Sequence, residues 1–374
     1  MHAIDDLKDL YEHEGPFATV HLDASRNAER AAHEVELRWR DLRRPLTDAG
    51  ADDATVAALE SAVLGVDEPG PHGRFLVAAE GSVLFDRPLR GIPVQPSASW
   101  GVLPDVMPYV AEASTQIAYV VAVADRTGAD LEVVLGPRSV RGTVEGDQTH
   151  PLHKTRRNQW NERQFQNRVE NAWEKNEREV ADAVVRHVQE VGAQLVVISG
   201  EQRACALLKR DLEELLPPGV ALAEVGAGGR APGASPEALH EAVHDAVLKL
   251  VWRRRRELIE RLQQDLGRHA FALTGAAEVI DALRKAQADT VVLTNDPSST
   301  LRAWVGPEPL QVGTSEQELH DMGVDEPHEV RFDAALTRAA VGSGADIEVT
   351  PSGHNFLKDG IAALLRYDDA ATPS

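Results

Sequence analysis

The sequence of 374 residues has a single cysteine, Cys205, and lacks any apolar run of about 18 residues. One cysteine excludes an intramolecular disulfide and a zinc site built from several cysteines, and we expect a buried structural thiol. Without a long apolar run there is no candidate membrane-spanning helix, and the first residues lack the pattern of a secretory signal. We therefore expect a cytoplasmic protein with no membrane partner.

Positive charge is scarce as well. Lysine and arginine number 39 against 60 aspartates and glutamates, a formal net charge of −21. This charge repels a phosphate backbone and excludes nucleic-acid binding by overall electrostatic attraction, so any such contact must use a local basic segment. A hydrophobic content of 43% supplies enough apolar side chains for two or three separate cores.

Residues 1–113 mix strand and helix patterns. We predict a strand at 16–22, a helix at 28–44 and a hairpin around Gly81. Pro45 should end the helix, because proline lacks an amide hydrogen and its ring clashes with the preceding turn. The prolines between residues 93 and 108 mark an irregular connection. This region is therefore predicted to be an α+β domain.

The rest of the chain alternates strands with helices. Between residues 114 and 250, strands are predicted at 117–123, 131–135, 194–198 and 220–225. Between 251 and 374, we predict a helix at 276–286, a strand at 289–293, a helix at 334–340, a strand at 346–349 and a closing helix through Leu365. Strand–helix–strand order is typical of parallel sheets covered by helices, so we predict an α/β protein of three domains.

The segment 150–168 is the most informative part of the sequence. Five cations (Lys154, Arg156, Arg157, Arg163 and Arg168) stand against one acid, Glu162, so the local formal charge is 5 − 1 = +4. Amides and Trp160 lie between the cations. Cations bind phosphates, amides bind base edges, and an aromatic ring stacks on an unpaired base. Composition alone fits an RNA-binding loop and a solvated loop that balances acidic neighbours equally well.

Three parts of the sequence form a recognisable series: residues 14–20, then His153-Lys154, Trp160-Asn161, Phe165-Gln166, Asn176 and 180–182, and finally Asp359-Gly360 with 363–367. Together they resemble the archaeo-eukaryotic release factor family, particularly its actinobacterial branch. The order and spacing of these matches, which span almost the whole chain, are more specific than any one of them. The resemblance implies a divergent α+β N-terminal domain (1–113), a ribonuclease-H-like central domain (114–250) and a ribosomal-protein-like αβα sandwich (251–374).

The resemblance also implies a role for the basic segment. Release factors of the family carry a Gly-Gly-Gln tip, which the resemblance places at Asn158, Gln159 and Trp160. Neither glycine is present, so bulky side chains should keep the backbone away from the peptidyl-tRNA ester. The implied RNA-binding residues are His153, Lys154, Arg156, Arg157, Asn158, Gln159, Trp160, Asn161, Arg163 and Arg168.

These expectations favour a ribosome-binding hibernation or stress factor that fills the A site without efficient peptide release, similar to Balon-like factors. The alternative is a peptide chain release factor or peptidyl-tRNA hydrolase that uses Gln159. The expected partner is ribosomal RNA of the A site, with neither a cofactor nor a small-molecule substrate. Delivery by elongation factor Tu is left open.

Four consecutive arginines, Arg253, Arg254, Arg255 and Arg256, form a second basic feature. Neighbouring residues of a helix point in different directions, so the four side chains cannot all face one partner. We favour a solvated, partly salt-bridged helix over contact with ribosomal RNA.

A zinc-site motif also occurs. His240, Glu241 and His244 match H-E-x-x-H, a pattern that places two imidazoles on one helix face with a glutamate as general base. A catalytic zinc site needs a third protein ligand, and no downstream residue is clearly marked as one. We favour a chance match and expect no metal, with a zinc metallopeptidase as a minor alternative.

Overall fold

The computed structural model describes residues 4–25, 31–65, 72–89, 91–93, 95–136, 138–145, 176, 178–230, 235–268, 270–351 and 356–367. The chain forms two compact units. The composite unit contains Met1–Thr115 with Leu258–Ser374, and the central unit is Gln116–Glu257. Two mixed sheets and two antiparallel sheets, packed with helices, confirm the predicted α/β class. The domain limits 1–113, 114–250 and 251–374 stay a prediction.

The N-terminal part of the composite unit contains a four-stranded antiparallel sheet and three helices. Its strands are β1 (Phe17–Asp23), β2 (Gly73–Ala79), β3 (Ser82–Leu89) and β4 (Ser97–Gly101), in the order β3-β2-β1-β4. Its helices are α1 (Ala31–Asp48), α2 (Asp53–Gly65) and α3 (Met107–Ala113), after short 3-10 turns at Asp5–Leu7 and Asp9–Glu12. The predicted hairpin is confirmed as β2 and β3, whereas β4 and α3 form where an irregular connection was expected.

Helix α1 runs through Pro45 to Asp48, so the prediction that Pro45 ends it is wrong. Leu42 and Leu46 lie four residues apart on one helix face, and both are buried in the core that contains β1 and β2. We attribute the extra turn to this packing, which offsets the amide hydrogen bond that Pro45 cannot make.

The central unit contains a five-stranded mixed sheet. Its strands are β5 (Tyr119–Asp125), β6 (Gly128–Leu135), β7 (Arg138–Glu145), β8 (Leu195–Gly200) and β9 (Ala221–Glu224), in the order β7-β6-β5-β8-β9. Its helices are α4 (178–191), α5 (Gln202–Leu215) and the first part of α6 (Pro236–Arg268). The predicted parallel pairing of the two strands around α5 is confirmed, and β5 is also parallel to β8.

Helices cover both faces of this central sheet. Val184 of α4 and Leu208 of α5 pack with Val120 on one face, while Val247 of α6 packs with Val197 on the other. Alternate residues of a strand point to opposite faces, which explains the continuous apolar run of β5. Cys205 of α5 is buried, as predicted.

The C-terminal part of the composite unit has two further sheets. Its strands are β10 (Ala272–Thr274), β11 (Ala288–Asn295), β12 (Arg302–Val305), β13 (Val312–Gly313), β14 (His328–Arg331), β15 (Asp346–Pro351) and β16 (Ile361–Leu365). Its helices are α7 (Ala276–Arg284), α8 (Glu316–Asp321) and α9 (Phe332–Ser343), with a 3-10 turn at Lys358–Gly360. The strand orders are β10-β16-β11-β15 and β13-β12-β14. Over the described ranges, no helix is long and apolar enough to cross a membrane.

The predicted closing helix through Leu365 is wrong, because Ile361–Leu365 forms strand β16. All five residues are buried, and the strand pairs with β10 on one side and β11 on the other. A short apolar run that is buried on both faces has no periodicity that separates a strand from a helix. The positive φ angles of Asp359 (58°) and Gly360 (73°) turn the chain just before the strand.

Candidate nucleic-acid interface

The predicted RNA-binding segment lies outside the described residues. This applies to His153, Lys154, Arg156, Arg157, Asn158, Gln159, Trp160, Asn161, Arg163 and Arg168. The described residues nearest to it in the chain are Glu145, the last residue of β7, and Asn176, just before the described part of α4. Both residues belong to the central unit.

Both flanking residues lie at one edge of the central sheet. Glu145 is the register partner of Gly128, the first residue of β6. Asn176 is buried, and its Nδ2 donates a hydrogen bond to the backbone oxygen of Arg126 at 3.5 Å. Glu145 and Asn176 therefore both lie beside the turn that joins β5 to β6. We call this the carboxyl edge, because the parallel strands β5, β8 and β9 end there.

The carboxyl edge is where three parallel strands of the central sheet end. Strands β5, β8 and β9 all end there, and the antiparallel hairpin of β5 and β6 turns at the same edge. In open α/β sheets, ligands bind outside the carboxyl ends of the parallel strands. The topology therefore favours this edge as the functional end of the central unit.

Two glycines permit the close packing of backbone at this edge. Gly128 has φ +144°, and a Cβ there would overlap the carbonyl oxygen of Val144. Gly200, at the end of β8, has φ +122°, and a Cβ there would overlap the carbonyl oxygen of Ala124. Both positions are therefore restricted to glycine by conformation and by space.

Arg230 holds the connection between β9 and α6 against the β5–β6 turn. Its Nη1 donates to Oδ1 of Asp125 at 2.9 Å and to Oγ1 of Thr127 at 3.1 Å. Its Nε lies 3.3 Å from Oδ2 of Asp130, and 17% of the side chain is exposed. One guanidinium thus joins two carboxylates, a geometry suited to arginine.

Asp125 is the acceptor at the centre of these contacts. Its Oδ1 also accepts from the backbone amide of Thr127 at 2.7 Å and from the Thr127 hydroxyl at 2.6 Å. Burial raises the pKa of the Asp125 carboxyl, but the hydrogen bonds from Thr127 and Arg230 outweigh burial and hold its pKa below the usual value. The carboxylate is therefore ionised at neutral pH.

A second arginine joins the neighbouring loop. Arg126 Nε donates to Oε2 of Glu201 at 2.9 Å, and the amide of Glu201 donates to the Ala124 oxygen at 2.9 Å. Glu201 precedes α5, so this pair ties the β8–α5 connection to the β5–β6 turn. We define the carboxyl-edge network as Asp125, Arg126, Thr127, Asp130, Asn176, Glu201 and Arg230.

The carboxyl-edge network is suited to stabilising the backbone at this edge. Its three carboxylates, at Asp125, Asp130 and Glu201, are each paired with an arginine. Among the residues that the structure describes, no three His, Cys, Asp or Glu side chains are grouped so as to hold a metal ion. No local pattern in the sequence marks Arg230, because its partner Asp125 lies 105 positions earlier.

The four consecutive arginines 253–256, the second basic patch, make different contacts. Arg254 donates to Oε1 of Gln194 and, at 3.3 Å, to the Gly219 oxygen, so it ties α6 to the amino ends of β8 and β9. Burial, followed by the charge of Arg253, lowers the pKa of Arg254. The Arg255 guanidinium carbon lies 5.7 Å from the centre of the exposed Trp252 ring.

Arg253 and Arg256 complete that patch, and the structure places them on the same helix, α6. The four arginines therefore have different surroundings, in keeping with a helix on which neighbouring residues point in different directions. Contact between this patch and RNA stays a prediction.

The zinc-site motif lies on the first turns of α6. His240, Glu241 and His244 are all exposed. Within the described ranges, no group of metal-ligating side chains supplies the third ligand that a catalytic zinc needs. The geometry therefore gives the metallopeptidase alternative no support.

The Asp359-Gly360 pair, one part of the family resemblance, has a structural role. Asp359 Oδ2 accepts from the backbone amide of Ala276 at 3.1 Å, so it caps the start of α7. The amide of Lys358 donates to Oγ1 of Thr274 at 2.8 Å, which fixes the same turn. This motif therefore stabilises the C-terminal sheet and is distant in sequence from the basic segment.

Residues 118–268 match a family model described as bacterial archaeo-eukaryotic release factor family 2. An uncharacterized protein of Mycobacterium tuberculosis strain H37Rv is 30% identical over 366 residues, which is 96% of each chain. Among solved structures, the archaeal translation termination factor aRF1 is 14% identical, with 98% and 99% of the two chains covered and a TM-score of 0.24. Saccharomyces cerevisiae Dom34 is 10% identical, with coverages of 80% and 82% and a TM-score of 0.40.

Proposed function

Because this chain belongs to the bacterial archaeo-eukaryotic release factor family, we propose that it is a translation factor that binds the ribosome through residues 150–168. In this proposal the protein acts in the cytoplasm, where it occupies the A site of idle ribosomes as a hibernation or stress factor. Ribosomal RNA is its partner, and its action requires no cofactor.

A cation-rich segment in an acidic chain is the observation that carries the proposal. Residues 150–168 have five cations and one acid, a charge of +4, within a chain of net charge −21. The residues flanking this part of the chain, Glu145 and Asn176, lie together at the carboxyl edge. The carboxylates of the carboxyl-edge network are paired with arginines, which reduces their repulsion of an approaching phosphate.

The proposal excludes efficient peptide release. The resemblance places the family's Gly-Gly-Gln tip at Asn158, Gln159 and Trp160, and no glycine is present there. Hydrolysis requires an attacking water and the ester to be held within a narrow range of distances. Side chains at the two glycine positions hinder that approach, so the factor fills the site without cleaving the ester.

Cosedimentation with vacant ribosomes over a range of salt concentrations tests the proposal. A variant with Lys154→Ala, Arg156→Ala and Arg157→Ala removes three cations. Each lost phosphate contact lowers the slope of log affinity against log salt by about 0.7–0.9, so the slope should fall by about 2–3. Between about 50 and 200 mM salt, the wild type should lose about 20- to 40-fold more affinity than the variant.

A matched control removes three arginines elsewhere. Arg40 and Arg44 on α1 and Arg186 on α4 are all exposed, and their joint replacement by alanine changes the net charge by the same amount. This control should keep the wild-type slope. The proposal is wrong if the wild-type protein fails to cosediment at low salt, or if the control and the test variant lose the same slope.

A further inference from the structure

We propose that strand β4 is a site of self-association, at which two copies of this chain pair edge to edge. In the pair, the indole of each copy's Trp100 enters a groove beside Ala98 of the other copy. Such pairing goes beyond the proposed function, because it involves the composite unit alone and requires neither RNA nor the ribosome.

Strand β4 lies at an edge of the antiparallel sheet, whose order is β3-β2-β1-β4. One side of β4 pairs with β1 along its whole length, and within the described ranges no strand pairs with the other side. Alternate residues of an edge strand direct backbone amides and carbonyls away from the sheet, where they can bind another strand. The outer side of β4 is therefore a template for one more strand.

Charged side chains and prolines protect sheet edges against such pairing, and β4 has neither. At the opposite edge of the same sheet, β3 contains Arg87 and Pro88. The other described edge strands of five or more residues are protected as well, since β7 contains Arg141 and β15 contains Glu348 and Pro351. Among the described edge strands of that length, only β4 lacks this protection, so two copies could pair there without like charges meeting in the strands.

A groove with a volume of about 460 Å³ lies between α1 and the start of β4. One side is lined by Arg38, Asp41, Leu42 and Pro45 of α1, and the other by residues 96–98. This volume is within the range of pockets that hold drug-sized ligands, so the groove can accept an indole side chain. Leu42, Pro45 and Ala98 supply apolar contacts, and the exposed carboxylate of Asp41 offers an acceptor for the indole N–H.

Two-fold pairing of β4 brings large and small side chains together. An antiparallel pair centred on Ser99 places Ala98 opposite the second copy's Trp100. Opposed residues of such a pair project from the same face of the sheet. Ala98 and Trp100 both pack against the core that includes α1, so the second copy's indole is directed to the α1 side, beside Ala98. The groove lies at that position.

The pairing should give a weak dimer. Burial of an aromatic side chain removes about 150–250 Å² from water, so two indoles with five-residue strands form a small interface. Interfaces below about 1,200 Å² belong to weak, transient complexes, and we expect a dissociation constant on the order of 10–100 µM. Each chain has a net charge of −21, and salt screens the resulting repulsion, so the dimer should strengthen as salt rises.

Sedimentation velocity of the full chain, at about 1–200 µM protein and at about 0.1 and 0.5 M salt, measures this association. We expect the wild type to shift from monomer toward dimer as its concentration rises, and more so at the higher salt. Trp100→Ala should weaken the dimer at least about tenfold, since central buried aromatic side chains contribute most to an interface. The control Trp252→Ala removes an exposed tryptophan of α6 and should associate like the wild type.

A cysteine at the two-fold axis tests the register without removing Trp100. Opposed residues of an antiparallel pair have Cα atoms about 4.5–5.5 Å apart, within the range that a disulfide spans. Ser99→Cys should therefore form a covalent dimer on oxidation, and the control Ser82→Cys, at the β3 edge, should crosslink much more slowly. The native cysteine, Cys205, is buried and does not compete.

Three results would overturn the inference. A wild type that stays monomeric at about 200 µM in both salts shows that β4 does not bind a second copy, and leaves this edge to a strand from another protein. Equal dimerisation of the wild type and Trp100→Ala shows that another surface is used. Should Trp100→Ala fail to fold, crosslinking decides, and equal rates for Ser99→Cys and Ser82→Cys are the contradicting result.

Discussion

Replacement of Asp125 gives the sharpest test of the carboxyl-edge network. Oδ1 of Asp125 accepts three hydrogen bonds, two from Thr127 and one from Arg230, at 2.6–2.9 Å. Asp125→Ala removes all three. Asp125→Asn keeps an acceptor oxygen at the same position and removes only the negative charge, so the pair of variants separates geometry from charge.

The expected loss of unfolding free energy follows from the kinds of hydrogen bond that Asp125 accepts. A hydrogen bond to a charged group contributes about 1.5–3 kcal/mol and an ordinary one about 0.5–1.5 kcal/mol. The Asp125 side chain is 31% exposed, so water replaces part of each lost bond and the lower ends of these ranges apply. We count the Arg230 bond at about 1.5 kcal/mol and each of the two local Thr127 bonds, which water readily replaces, at about 0.5 kcal/mol. We therefore expect Asp125→Ala to lower the unfolding free energy of the central unit by about 2–3 kcal/mol and Asp125→Asn by about 1 kcal/mol.

The assay is urea unfolding combined with hydrogen exchange of peptides from β5 and β6, which reports the central unit separately. Equal losses in the two variants would refute the importance of the shared acceptor oxygen. A loss below about 0.5 kcal/mol in Asp125→Ala, the range of ordinary surface substitutions, would refute the network as a stabilising element.

The pH dependence of the same variants checks the electrostatic contribution. The folded-state pKa of Asp125 is lowered, so its contribution to stability is complete above its unfolded pKa of about 4 and is lost as pH falls through the folded pKa. The stability difference between wild type and Asp125→Asn should therefore stay constant from about pH 7 to pH 5 and shrink below about pH 4. A difference that grows on acidification has the opposite sign and contradicts the assignment.

Three further predictions concern other sites. Leu208→Ala, at a fully buried position of α5, should lower the unfolding free energy by about 2–5 kcal/mol in urea titrations, and a loss under about 1 kcal/mol would contradict the packing. Asp359→Ala should destabilise by about 1 kcal/mol through loss of the α7 cap, whereas Asp359→Asn should retain most of the stability in calorimetry. Gln159→Ala should leave release of labelled peptide from stalled ribosomes at background, and release by the wild type that this variant abolishes would favour the hydrolase alternative.

Strands and helices marked by a clear pattern of apolar residues could be predicted from the sequence. The apolar run at 117–123 corresponds to β5, and the apolar run before Gly200 with its following helix corresponds to β8 and α5. The polar strand β7, an edge strand with mostly exposed side chains, has no apolar alternation and was not predicted. Strand β16 was mistaken for a helix because complete burial removes the pattern that distinguishes the two.

The candidate site was only partly predictable. Charge composition identified the basic segment, and its placement in the family rested on residues such as Asn176. The link between Asp125 and Arg230 could not be predicted, because their separation of 105 positions is closed only by the order of strands in the sheet. Local patterns report neighbours along the chain and say nothing of contacts that topology creates.

A cryo-electron microscopy map of the protein bound to vacant ribosomes tests the central claim most directly. We predict that the carboxyl edge of the central unit, at the turn between β5 and β6, faces ribosomal RNA of the A site, with Lys154, Arg156 and Arg157 against phosphates. A map in which the protein sits outside the A site, or in which these three cations lie away from RNA, would contradict the account.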